Sequence, residues 1–436
     1  MVAPLVIVMA RAQATGTSLA PVTTTSTTTS TSTSTSSTTT TSSTTTSSTT
    51  STTTTTVAPP VPTPPALAAA LDDPRFAGTT MTASIWVDGV GEVASRNPDR
   101  ALHPASNEKL FTAAAALSVL GPDATLDTRV LLTPGGDLVL AGGGDPALAS
   151  AGRHSLDDLA AQIRRRGITS VAGALVGDET RYDTVRTGPA WGRNYVPRFS
   201  GPLSALTVDR NVHRSDPGFL DYPLPANVEL FRDALARQGV RVAGPTVAGP
   251  TPAGSEVVAT LPSAPAWELV RDMLRFSDNM AAELLLKEVG YRSTGTGSTA
   301  AGAATVARVA TELGVAVEPS RGDGSGLSRQ NGRAALDVRR LFQTALGQPW
   351  SATFLGSLPL AGHTGTLASR FRATPAEGNL RAKTGYVPGV HALSGYVTTA
   401  ANRLVIFSLV VNDTGGRLSV RDAMDDVVVA LARSNW

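Results

Sequence analysis

The sequence predicts an α+β protein: one antiparallel sheet flanked by helices, with a smaller α+β module inserted into the chain. Three observations predict it. Strand-like runs stand at both ends of the folded region, at 80–94 and at 391–411, so one sheet can draw its strands from both termini. Helical periodicity fills most of the stretch between Trp267 and Leu346. From Asp123 to about Leu261 the pattern changes to short β runs alternating with single helices, which reads as a separate unit.

The chain has 436 residues, enough for two or more domains. Residues 1–14 are a candidate signal peptide. Leu5–Ala10 is apolar and Ala12-Gln13-Ala14 resembles a cleavage site, although no basic residue precedes the run and Arg11 follows it. Residues 15–65 read as a disordered linker. Thr23 to Thr56 is an unbroken Ser/Thr run and Val57–Pro65 is Pro-rich, so neither buries enough apolar surface to offset the ordering of its backbone. No stretch approaches the ~20 apolar residues of a membrane-spanning helix. A stalk of this kind favours an extracytoplasmic protein. The expected main domain comprises 66–122 and 262–436, and the inserted module 123–261.

The elements follow in order. Thr80–Val87 and Val90–Ala94 flank Asp88-Gly89, a strong hairpin signal. A helix spans about Ser106–Leu120, with Leu110, Ala114 and Leu117 on one face and Gly121 as its stop. In the module, β runs at Arg129–Thr133 and Leu138–Leu140 flank the turn sequence Pro134–Asp137, and a third run lies near Ala172–Val176. Helices are expected at Ser155–Arg166, with Ser155 as cap, and at Val228–Gln238. Each is followed by a β-like run and Ala-Gly, at Val171–Gly173 and Val242–Gly244, a faint repeat. Helices resume at Trp267–Leu274, Met280–Val289, Ala301–Leu313 and Ala334–Leu346. Strands at His391–Thr398 and Leu404–Val411 and a helix at Val420–Ala432 end the chain.

Composition excludes several functions. A net charge of +2, with no basic patch interleaved with aromatics, argues against nucleic acid. The absence of cysteine removes disulfides, thiolate metal sites and a Cys nucleophile. His103, His154, His213, His363 and His391 show no metal-ligand spacing and read as scattered structural residues. No Gly-x-Ser-x-Gly elbow is present, which leaves a Ser-His-Asp hydrolase little support.

Three short motifs carry chemistry. Ser106-Asn-Glu-Lys109 opens the first long helix, and residues three apart share a helix face. Lys109 can therefore reach the Ser106 hydroxyl and take its proton, provided burial lowers its pKa. Ser277-Asp278-Asn279 lies at a break between helices. There Ser277 can pass a proton to a leaving amine and Asn279 can bond a substrate amide. Ser95-Arg96-Asn97 matches the same pattern but lies beside Pro98 and reads as a turn. Lys383-Thr384-Gly385 enters a strand. An ammonium and a hydroxyl there can bind a carboxylate, Gly385 lets substrate lie close, and the Tyr386 N–H can join that of Ser106 as an oxyanion hole. The only lysines are Lys109, Lys287 and Lys383, among 37 basic residues. Arginine cannot lose its proton near neutral pH, so a lysine kept in such a chain hints at a base. Lys287 sits in an ordinary helix near Glu283 and reads as a surface residue.

These motifs resemble those of the penicillin-binding proteins and serine β-lactamases. Over 66–436 the chain is most similar to the DacB-type D-alanyl-D-alanine carboxypeptidase/endopeptidases, the class C low-molecular-mass penicillin-binding proteins. Ala105–Thr112, Gly142–Pro146, Asp323–Ser328, Gly362–Leu367, Lys383–Gly385 and Leu393–Tyr396 carry the likeness, as does the insertion between the first two motifs. The insertion is short for that group, and Tyr386 stands where a small hydroxyl residue is common. The resemblance implies a β-lactamase/transpeptidase-like domain. It also implies acylation of Ser106 by peptidoglycan stem peptides or β-lactams, with no metal or organic cofactor. Two other readings remain at this point: a β-lactamase or esterase of the same fold, and a wall-binding homologue without catalysis. The oligomeric state is not legible.

Overall fold

The structure, a computed structural model, describes residues 63–212 and 222–436. The candidate signal peptide, nearly all of the Ser/Thr- and Pro-rich tract, and His213 lie outside the described residues. The path opens with α1 (Pro65–Leu71), whose proline occupies a first-turn position where no N–H is needed. The predicted hairpin follows as β1 (Thr80–Val87) and β2 (Gly91–Arg96), turning at Gly89 with φ +71°. A 3₁₀ turn, Ala105–Asn107, leads into α2 (Glu108–Val119).

The region read as a module contains β3 (Thr128–Leu132), β4 (Leu138–Ala141), α3 (Leu156–Arg165), β5 (Ser170–Val171) and β6 (Leu175–Asp178). It continues with α4 (Tyr195–Arg198), α5 (Leu224–Arg237), β7 (Arg241–Val242), β8 (Thr246–Ala248) and β9 (Glu256–Leu261). A mixed sheet runs β8-β6-β4-β3-β9, with β4, β6 and β8 parallel. The faint repeat is structural. Each helix is followed by a short strand, Ala-Gly and a second strand, and the two copies pair in parallel, β5 with β7 and β6 with β8. The single β run expected at Ala172–Val176 is split, because Asp137 Oδ1 accepts from Ala174 N at 2.7 Å and interrupts the strand there. The expected cap of α3 forms: Asp158 accepts from the Ser155 N–H at 2.9 Å.

The chain then supplies α6 (Ala266–Phe276), α7 (Asn279–Thr294), α8 (Thr299–Glu312), α9 (Ala335–Ala345) and α10 (Ser351–Gly356). It ends with β10 (Arg381–Val387), β11 (Val390–Thr398), β12 (Leu404–Asn412) and α11 (Leu418–Arg433). The antiparallel sheet runs β10-β11-β12-β1-β2, so strands from both ends do meet, with Thr80 opposite Asn412 and Val87 opposite Val405. Alternation along β1 and β12 sends Ala83, Ile85, Val87, Phe407 and Leu409 to one face, where Val420, Met424, Val427 and Leu431 of α11 cover them. A second core joins α2, α6, α7, α8 and α9 through Phe111, Leu274, Leu285, Val306 and Phe342, and takes in Ile406 from the sheet. The three short motifs lie on the side of this second core, and β10 is an edge strand.

One reading is overturned. Lys287 is fully buried rather than on the surface. Its ammonium bonds the Asp183 carboxylate and the Val185 carbonyl, the latter at 2.9 Å. α7 is buried all round from Met280 to Gly290 because the 182–212 segment covers the side that helical spacing leaves open.

Candidate active site

Ser106 sits in the 3₁₀ turn ahead of α2, after Ala105, which holds a left-handed φ of +46° while fully buried. The turn is held from three sides. His103 Nδ1 accepts from the Ala105 N–H at 3.1 Å, and its Nε2 lies 2.9 Å from the Ser328 carbonyl. Burial lowers the His103 pKa, so the ring is neutral with its proton on Nε2. Gly326 presses on the same turn. A Cβ there would come within 1.8 Å of the Ala105 carbonyl oxygen. The third side is β10, where a Cβ on Gly385 would lie 2.9 Å from the Pro104 carbonyl oxygen and from Ala392 Cβ. Gly385 therefore makes room for the turn that carries Ser106, a different reason from the close approach of substrate expected above.

Lys109 follows one helical turn later and is fully buried. Its Nζ lies 3.1 Å from Ser106 Oγ, 2.7 Å from Asn279 Oδ1 and 2.5 Å from the Ser325 carbonyl oxygen. Burial pushes its pKa down to about 8, against the opposing pull of the Asp323 and Glu283 carboxylates. A neutral amine has two N–H groups and one lone pair. Asn279 and Ser325 offer only acceptors, so they take the two N–H groups and turn the lone pair toward Ser106.

The Asn279 amide is oriented by the insert: its Nδ2 donates to the Phe199 carbonyl at 2.9 Å. Asp278 caps α7 through the Ala281 N–H at 3.0 Å and receives a two-pronged bond from Arg210, both contacts at 2.8 Å. Ser277, in the expected break between α6 and α7, adopts φ +60°. The Ser325 carbonyl is held by the 323–328 loop. Glu283 accepts from the Ser325 N–H at 2.8 Å, and Asp323 accepts from Gly326 N at 2.7 Å, Ser328 N at 2.9 Å and Trp191 Nε1 at 2.6 Å. Burial pushes the Glu283 pKa up to about 8, with the Asp323 carboxylate adding to the rise.

Lys383 is fully buried too and does not present its ammonium to solvent. It donates to Ser277 Oγ at 2.9 Å and to the Thr384 carbonyl at 2.7 Å. Burial, reinforced by Lys109, pushes its pKa well below the usual lysine range. Thr384 Oγ1 donates to Thr366 Oγ1 at 2.8 Å on the exposed rim. The Tyr386 side chain is 57% exposed, with its ring 5.2 Å from that of His391. The three motifs thus converge. The Ser95 copy does not join them; Ser95 and Arg96 end β2 and Asn97 turns away with φ +41°.

Sequence reading missed the supports of this site. Glu283 drew notice only as a neighbour of Lys287, His103 as a scattered histidine, and Asp323 only within a family-like motif. Trp191, Phe199 and Arg210 drew none. Their partners are far away along the chain, so no local pattern marks them. Among the described residues, no group of three or more His, Asp or Glu side chains is placed to hold a metal ion. No helix of the described residues is long and apolar enough to cross a membrane.

An edge-stranded antiparallel sheet with a Ser–Lys pair at the head of its central helix defines an α+β fold of the β-lactamase and penicillin-binding-protein class. Penicillin-binding protein 4 (dacB) of Haemophilus influenzae superposes with a TM-score of 0.75 at 22% identity, over 84% of this chain and 99% of that one. The chain belongs to the D-Ala-D-Ala carboxypeptidase 3 (S13) family, whose model matches residues 65–216 and 225–434, and is a serine-type D-Ala-D-Ala carboxypeptidase of that family. It is 34% identical to the D-alanyl-D-alanine carboxypeptidase of Actinomadura sp., over 82% of each chain. It is 32% identical to the carboxypeptidase DacB of Mycolicibacterium smegmatis, over 85% of this chain and 83% of that protein.

Proposed function

We propose that Ser106 is the acylated nucleophile and Lys109 its base, acting on peptidoglycan stem peptides that end in D-Ala-D-Ala. The observation that carries this is the Lys109 amine: buried, 3.1 Å from Ser106 Oγ, with fixed acceptors for its other hydrogens. Ser106 Oγ attacks the carbonyl of the penultimate D-alanine while Lys109 Nζ accepts the hydroxyl proton. The oxyanion rests on the backbone N–H groups of Ser106 and Tyr386. As the C–N bond breaks, Ser277 gives its proton to the departing amine and recovers one from the Lys109–Lys383 side of the site. Water then attacks the ester, Lys109 accepts its proton, and as the C–O bond to Ser106 breaks Lys109 returns that proton to Ser106 Oγ, freeing the acid product. Asn279 fixes Lys109 and bonds a substrate amide. Thr384 takes the carboxylate of the departing residue at the edge strand, where Gly385 keeps the strand close to Ser106. Lys383 lacks a carboxylate partner among its contacts, so an arriving carboxylate supplies its counter-charge.

β-Lactams enter the same path and stall at the acyl-enzyme. Because the substrate lies outside the cytoplasm, the protein acts there, at the cell envelope. Residues 66–122 and 262–436 form the catalytic domain, and 123–261 the inserted module that steadies Asn279. Labelling with fluorescent penicillin tests the assignment: wild type labels covalently and Ser106→Ala does not. Labelling that survives the substitution removes Ser106 from its role.

A further inference from the structure

A single peptide unit stands between Lys109 and a buried carboxylate that the chemistry above does not use. The carbonyl of the Ser325–Gly326 peptide accepts from Lys109 Nζ at 2.5 Å. The N–H of the same peptide, on Gly326, donates to Asp323 Oδ1 at 2.7 Å. Carboxylate, peptide and amine are therefore joined in series. A carboxylate on a peptide N–H polarises that peptide and enriches its carbonyl oxygen, which then accepts more strongly.

Asp323 is held firmly in this place. It is 2% exposed. Besides the Gly326 N–H it accepts from Trp191 Nε1 and Asn331 Nδ2 at 2.6 Å, from Ser328 N at 2.9 Å and from Ser325 Oγ at 3.0 Å. All but the serine hydroxyl can only donate, so both carboxylate oxygens act as acceptors. None of these partners is a basic side chain, so no cation cancels the charge by contact. The linking peptide cannot swing away either. Gly326 has φ +84°, and a Cβ there would lie 1.8 Å from the Ala105 carbonyl oxygen, in the turn that carries Ser106.

The other charged groups that face Lys109 are differently placed. Asp278 is bonded to Arg210, and Glu108 to Arg333. Glu283 takes the Ser325 N–H at 2.8 Å, and burial pushes its pKa up to about 8, so it carries little charge at neutral pH. Lys383 is turned to Ser277. Burial lowers the Lys109 pKa, and Asp323 exerts the largest opposing pull. We propose that Asp323 is a positioning residue for the general base: through the Ser325–Gly326 peptide it fixes and strengthens the acceptor that turns the Lys109 lone pair toward Ser106. The inference rests on the reading of Lys109 as base given under the proposed function.

The test compares two full-length chains, Glu283→Gln and Glu283→Gln with Asp323→Asn, by stopped-flow acylation with a fluorescent penicillin. Glu283→Gln is common to both because Glu283 would otherwise gain charge when Asp323 loses its own. Removing the carboxylate removes a pull that favours the ammonium, so the midpoint of the pH rise should move down by about one pH unit. The plateau should fall about ten-fold, because the base is weaker and less well aimed. The deficit is then about ten-fold near pH 9 and vanishes near about pH 6. A purely structural loosening would admit water and move the midpoint the other way. An unchanged or raised midpoint therefore overturns the proposal. A second measurement leaves Asp323 in place. Isotope labelling of serine carbonyls together with glycine nitrogens selects Ser200-Gly201, Ser325-Gly326 and Ser394-Gly395. In Glu283→Gln the Gly326 amide proton should lie well downfield of the other two and titrate with the midpoint of acylation. An ordinary position, or a signal that does not titrate, would equally overturn the proposal. A wild type that no penicillin acylates would instead sink the reading of Ser106 and Lys109, while the Gly326 signal still decides whether the peptide links Asp323 to Lys109.

Discussion

Replacing Lys109 with arginine keeps a long cation in the pocket and removes the one property the mechanism needs. With a pKa of about 8, about one-tenth of Lys109 is neutral at pH 7. An arginine with a pKa above about 12 is neutral in fewer than about one molecule in 10⁵. If proton acceptance limits acylation, the rate should fall by the usual worth of a general base, about 10²–10⁴-fold. The wild type carries a matching pH signature. Below about pH 8 the neutral fraction, and with it the acylation rate, should rise nearly ten-fold per pH unit, then level off. Stopped-flow acylation with a fluorescent penicillin across this range measures both. A Lys109→Arg enzyme within ten-fold of wild type, or a wild-type rate that is flat from about pH 6 to about pH 8, would refute the base assignment.

Two further outcomes are expected. Arg210→Ala removes the two-pronged bond to Asp278, a pair that is 45% and 23% exposed, so melting temperature should change little. Acylation should nevertheless slow several-fold, since Asp278, the neighbour that starts α7 beside Asn279, loses its tie to the insert and leaves Asn279 held there by Phe199 alone; a melting shift without a rate change would make Arg210 purely structural. Glu283 has a folded pKa of about 8, above its unfolded value near 4.5, so its contribution to stability is present at acid pH and is lost as pH rises toward about 8. Glu283→Gln should therefore flatten the decline in chemical-denaturation stability between about pH 5 and pH 8, and an unchanged slope would contradict the raised pKa.

Much of the site was legible because its elements are local. Ser106 and Lys109 are three residues apart, from the 3₁₀ turn into the first turn of α2, and helical backbone over that spacing puts them on one side. Ser277 could be seen at a helix break, and Lys383 at a strand entry, from periodicity and turn residues. The scarcity of lysine added a chemical argument that geometry alone lacks. Lys287 shows where this logic fails. It shared the scarcity of the other two, and its burial depends on Asp183, 104 residues away. Helical spacing marks one apolar face, but α7 is covered on every side by elements the helix itself cannot specify.

The amino-acid sequence by itself determined the fold class, an antiparallel sheet drawing strands from both ends of the chain, and the spacing that sets Lys109 beside Ser106. These follow from side-chain period, turn chemistry and short covalent spacing, which act over a few residues. Only the tertiary structure decided the surroundings of Lys109. Lys109 meets Asn279 across 170 residues and Ser325 across 216, and the desolvation that lowers its pKa comes from that packing. Tertiary packing also decided that Lys383 serves Ser277 rather than solvent, and that Gly385 clears the turn of Ser106. A pKa and a close approach are properties of the space around an atom, and that space exists only once distant segments have packed together.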